Sequence, residues 1–151
     1  MKTFIHINIF HYILAWLLTA AITSPSYATQ SIGAPTFTED VPDVTATMIS
    51  HREACKVYNY ENCFLYGADI IQIANKENRL YLGDIAAPYF LRACRGHYAW
   101  GCASLGTIYK NGTPKIAASV ELAKQYYEMA CQGLGNPSQA VQLACDMEKS
   151  L

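Results

Sequence analysis

The chain carries little charge: 15% of its 151 residues are charged, with eleven Lys and Arg against twelve Asp and Glu, a formal net charge of -1. A surface this close to neutrality offers no bulk attraction to phosphate backbones, so nucleic acid is not an expected partner. Histidine is scarce too. Beyond the N-terminal segment only His51 and His97 occur. Two dispersed imidazoles make no zinc cluster, and neither a metal nor another cofactor is expected. No Cys-x-x-Cys is present, which argues against a thiol oxidoreductase. No serine has a lysine three residues later and Lys-Thr-Gly is missing, so the residues of a serine β-lactamase are not assembled. No alternating apolar and polar run argues for a sheet.

What the chain has is hydrophobic residues, 52% of the total, enough for the core of one domain. The first 28 residues read as a secretory signal peptide. Lys2 supplies the n-region charge, an apolar run is clearest from Tyr12 to Ile22, and Pro25 breaks it before Ser26-Tyr27-Ala28. The competing reading is an uncleaved membrane anchor. Asn8, His11 and an apolar core shorter than the ~20 residues of a span weigh against it. Cleavage after Ala28 would leave a secreted or periplasmic protein with no membrane segment. Residues 29–43 are rich in Pro, Thr and Ser, lack periodicity, and read as a flexible leader.

From 44 to 151 the pattern is helical. Helices are expected over 44–56, 60–75, 84–95, 98–110, 117–132 and 137–149. Asp84 is the expected N-cap of the third and Gly96 its stop. Asn111-Gly112 ends the fourth. Ala86, Tyr89, Phe90 and Ala93 recur as Ala123, Tyr126, Tyr127 and Ala130, at the three- and four-residue spacings of a buried helix face. Tyr89, Phe90, Tyr109, Tyr126 and Tyr127 read as core packing rather than a cofactor box.

Cysteine marks the same repeat. Ala54-Cys55 recurs as Ala93-Cys94 and as Ala130-Cys131, Cys63 as Cys102, and Gly67 as Gly106. Self-similarity at this period is the mark of a solenoid. All six cysteines follow the signal segment, and an even count in a short exported chain implies disulfides. Cys55 and Cys63, like Cys94 and Cys102, are eight apart. In one straight helix that separates the α-carbons by ~12 Å, too far to bridge. A turn between them brings the two helix ends together. Cys131 and Cys145 then form the third pair. Gly67 and Gly106 lie inside helices, where glycine costs ~1 kcal/mol against alanine, a cost explained if two helix backbones approach too closely for a side chain.

These residues carry a resemblance. Ala93-Cys94, Gly101-Cys102, Leu105-Gly106, Tyr109, Gly112, Ala123, Tyr126-Tyr127 and Ala130-Cys131 stand at the offsets of a Sel-1-like repeat (SLR), a relative of the tetratricopeptide repeat. The stretch 54–146 most resembles the exported, disulfide-stapled branch, the Helicobacter cysteine-rich protein family. The first repeat departs from the pattern, with Tyr66 where leucine is usual and Ile70 where tyrosine is usual. The resemblance implies an all-α, short α-solenoid of about two helix-turn-helix repeats with a C-terminal capping helix. It also implies a concave face suited to a protein or peptide partner. Some relatives have been assigned weak penicillin-binding or β-lactamase activity, which makes a cell-wall-related ligand the alternative.

No catalytic residue is expected. His51 with Glu53, and His97 beside Trp100, are the groups an acid-base reading would use, and lone surface histidines are more often structural. The expected binding face is Phe64, Asp69 and Gln72 on the second helix and Ser104, Thr107 and Ile108 on the fourth. These positions are spared by the repeat core and mix polar with apolar side chains.

Overall fold

The computed structural model describes Val41, residues 44–133 and residues 138–151. The segment 1–28 read as a signal peptide, and all of the leader 29–43 except Val41, lie outside the described residues. Val41 itself is buried among the core side chains. The packed core therefore reaches into the stretch read as leader, because an apolar side chain there has a core to join.

The described residues form six helices and no strand: α1 (Ala46–Lys56), α2 (Tyr60–Glu77), α3 (Leu82–Arg95), α4 (Ala99–Asn111), α5 (Val120–Cys131) and α6 (Ser138–Lys149). Each packs on the next, as short connections require. Local chemistry sets most of the boundaries. Thr45, Asn59 and Ser119 each accept a hydrogen bond through the side chain from the backbone N–H three residues on, at 3.2 Å. Each cap satisfies one of the donors a helix start leaves without a partner. Ser119 moves the fifth helix start to Val120, three residues later than the periodicity predicts.

Two turns repeat almost atom for atom. After α1, the Asn59 N–H donates to Ala54 O (3.2 Å) and the Tyr58 N–H to Cys55 O (3.1 Å). After α3, the Tyr98 N–H donates to Ala93 O (3.0 Å) and the His97 N–H to Cys94 O (2.9 Å). Both are Schellman endings, and Tyr58 (φ 65°) and His97 (φ 61°) take the left-handed position that usually favours glycine. Gly96 caps the end of α3 as expected, but with φ -83° the left-handed residue is His97. Position 96 is glycine because the Tyr60 ring lies where a Cβ would be, at 2.1 Å. Each turn sits inside a disulfide. Cys55–Cys63 and Cys94–Cys102 have Cα–Cα distances of 4.6 and 4.5 Å, and Cys131–Cys145 one of 4.8 Å. The three pairs are those the spacing predicts.

The helical glycines answer the expected close helix approach in part, with backbone near at Gly106, where a Cβ would stand 3.2 Å from Ala123 O, but an aromatic ring is nearer at both. A Cβ on Gly67 would stand 2.7 Å from the Phe90 ring, and one on Gly106 2.7 Å from the Tyr127 ring. The glycine is a seat for an aromatic ring, in equivalent places of the two repeats. Backbone approaches backbone closely at Gly101, whose Cβ would stand 2.8 Å from Cys94 N and 3.0 Å from Phe90 O. Tyr66 meets Tyr89 edge-on at 4.7 Å, and Tyr109 stacks on Tyr126 at 5.4 Å. The aromatics are core, as the sequence predicts.

The core falls into two clusters. The larger runs from Val41 and Met48 to Tyr127 and carries the bulky side chains. The smaller joins α6 to α4 and α5. Its buried members are Cys94, Cys102 and five alanines: Ala99, Ala103, Ala130, Ala140 and Ala144. Small side chains allow close helix approach but bury little area each, and the Cys131–Cys145 bridge adds a covalent tie between α5 and α6.

Candidate functional site

A cleft of about 740 Å³ is bounded by α2, the start of α3, the end of α4 and the loop 112–119. Its apolar wall comes mainly from Ile71, Leu80, Ile108 and Ile116, and Asn75 and Asn111 bring carboxamides to it. None of the lining side chains carries a charge. Leu80 is 70% exposed, a large apolar surface at its edge.

The loop that closes one side is pinned. Gly112 leaves α4 at φ 74°, as the Asn111-Gly112 pair predicts. The carboxylate of Asp84 accepts a hydrogen bond from the Thr113 hydroxyl and another from the Lys115 N–H at 3.0 Å. Inside the loop the Thr113 N–H donates to Ile116 O at 2.8 Å, and the Ile116 N–H to Thr113 Oγ1 at 3.1 Å. The Ser119 N–H donates to Tyr109 O at 2.7 Å. Asp84 is therefore not the N-cap of α3. That helix begins two residues earlier, at Leu82, and Asp84 spends one oxygen, Oδ1, on a loop 29 residues away in sequence. A pinned wall loses little conformational freedom when a ligand arrives.

The expected binding residues divide. Thr107 and Ile108 line the cleft. Ile108, however, is only 7% exposed and belongs to the core, a correction to its placing on a free face. The Thr107 hydroxyl donates to Ala103 O (3.1 Å) and shares a hydrogen bond with the Tyr127 hydroxyl (3.1 Å). Gln72 is exposed beside the cleft-lining Ile71, and Ser104 is half-buried one turn before Ile108. Phe64 is half-buried in an aromatic group with Phe90, Tyr98 and Trp100, at centroid distances of 6.0, 5.6 and 6.1 Å. Asp69 is engaged with His51 Nδ1 at 2.8 Å, tying α1 to α2. The sequence reading missed Ile71, Leu80 and Ile116. Ile71 was within reach, since it lies two turns from Phe64 on the same face of α2.

The acid-base candidates are dispersed. Glu53 pairs with Lys56 at 2.8 Å and with Arg52 at 3.3 Å. The hydrogen bond from Lys56 holds its carboxyl below the usual range. Burial pushes the phenols of Tyr98, Tyr109, Tyr126 and Tyr127 above the ordinary value of 10.0. At neutral pH these phenols stay protonated and serve as packing and hydrogen-bonding groups. Among the described residues no three of His, Cys, Asp and Glu gather as metal ligands, and no helix is long and apolar enough to cross a membrane.

Comparison of the chain with protein-family models, with the curated proteins and with solved structures finds no match in any of the three.

Proposed function

We propose that this chain is an exported repeat module of the Sel-1-like kind that binds an extended, uncharged segment of a protein partner. The observation that carries the reading is the cleft, which is preformed and apolar, free of charge, and bordered by two carboxamides. An asparagine side chain offers both a donor and an acceptor, the pairing an extended peptide backbone needs. Ile71, Leu80 and Ile116 supply apolar contact, and a charged side chain in the same place would be desolvated without a counter-ion. Three disulfides support an oxidising compartment outside the cytoplasm. Export with cleavage after Ala28 belongs to the same proposal. No observation favours the penicillin-binding alternative, and turnover of a chromogenic β-lactam by the purified chain would displace the binding reading.

Peptides selected from a random library on the oxidised chain provide the test. Ala118→Trp places a bulky ring on an exposed, cleft-lining position of the loop. Affinity for the selected apolar peptides is expected to fall about ten-fold or more, with the melting temperature little changed. Unchanged affinity in this variant, or selection of highly charged peptides, would overturn the assignment.

A further inference from the structure

We propose that Cys131–Cys145 is a thiol–disulfide exchange site whose opening by a dithiol reductant releases α6. The three bridges are not equally accessible. Cys55 and Cys63 are 0% exposed, and Cys94 and Cys102 are 2% and 3% exposed. Cys131 and Cys145 are both half-buried. Exchange requires a thiolate to approach a sulfur along the S–S axis, so access selects which bridge reacts.

The consequence of opening is local, because of what α6 rests on. Its buried side chains are Ala140 and Ala144, clustered with Ala99, Ala103 and Ala130, and the partly buried Val141 and Met147 add larger apolar contacts, Val141 to that cluster and Met147 to the main core. Leu143 points away from the packing, 44% exposed. The other two bridges lie within the seams α1–α2 and α3–α4, and opening the third leaves both intact. In the exchange, one thiolate of the reductant bonds to one sulfur of the bridge and the other sulfur leaves as a thiolate. The second thiol of the reductant then attacks the reductant's own sulfur in this mixed disulfide and expels the cysteine bound there as a thiolate. Two electrons and two protons end on Cys131 and Cys145, and the reductant becomes a disulfide. Departure of α6 uncovers an alanine-lined face bordered by Trp100, Tyr126 and Met129, which pack against that cluster. No residue of α6 lines the α2–α4 cleft, so this inference stands apart from the binding role proposed for it.

The test is graded reduction of the oxidised full-length mature chain with dithiothreitol, followed by alkylation, peptide mapping and hydrogen exchange. Cys131 and Cys145 are expected to be alkylated about ten-fold faster than the other four or more. Protection is expected to vanish across α6 while α2–α5 keep theirs. Simultaneous reduction of all three bridges, earlier reduction of either buried one, or an α6 still protected once its bridge is open would overturn the proposal. Cys131→Ala with Cys145→Ala gives a second check without reductant. It should show the same α6-only exchange, and loss of protection throughout the chain would count against a local release.

Discussion

Cys94→Ala together with Cys102→Ala is expected to cost about 2–5 kcal/mol of stability and to lower the melting temperature by on the order of 10–20 °C. Both sulfurs are almost wholly buried, and the bridge closes the turn in which His97 holds a left-handed backbone. A non-glycine residue pays roughly 1–2 kcal/mol there, so the turn relies on its surroundings. The bridge joins α3 to α4, the seam between the two repeats. A domain of this size has only about 5–15 kcal/mol in total, and the loss is a large share of it. Urea unfolding of the oxidised variant measures it. A midpoint within experimental error of the parent would mean that the seam holds without its staple.

The second large effect concerns Tyr127, which is fully buried. Its ring rests on Gly106 and its hydroxyl bonds to Thr107. Tyr127→Ala is expected to cost about 3–5 kcal/mol, as for other large aromatic truncations in a core. Gly106→Ala alone should cost about 1–3 kcal/mol, since the new methyl would meet the ring at 2.7 Å. With Tyr127 already truncated, the same change should become close to neutral or gain about 0.5–1 kcal/mol of helix propensity. The two substitutions are thus coupled, and a double-mutant cycle by thermal unfolding reads the coupling. Simple additivity would show that ring and glycine are not paired in the folded protein.

These two sites also show what a sequence makes visible. Cysteine spacing was legible because helix rise is fixed, so an eight-residue interval bridges only across a turn. The helices were legible from apolar periodicity, and the start of α2 beside Asn59 fell where expected, whereas α1 begins two residues later than expected, after the Thr45 cap. Gly106 announced a close contact but not its partner, because glycine records that space is taken and not by what. Asp84 looked like a cap because caps are short-range, whereas Thr113 lies 29 residues on. Tyr58 and His97 gave no local sign of their left-handed backbone, since the repeat of the turn and not the residue type imposes it.

The candidate site was legible only in part for a related reason. Thr107 and Ile108 stand on the right face of α4, yet the sequence could not show that Ile108 is covered or that the loop 112–119 folds up as a wall. Which side of a helix meets a neighbour follows from periodicity. How far a loop closes over it depends on single long-range contacts such as Asp84 to Lys115.

Non-reducing peptide mapping of the chain recovered from an oxidising envelope fraction bears on the whole picture at once. It should yield a mature N-terminus at Thr29 and three links, Cys55–Cys63, Cys94–Cys102 and Cys131–Cys145, with no free thiol. A link such as Cys63–Cys94, or unpaired cysteines at these positions, would break the repeat register on which both the fold and the proposed function rest.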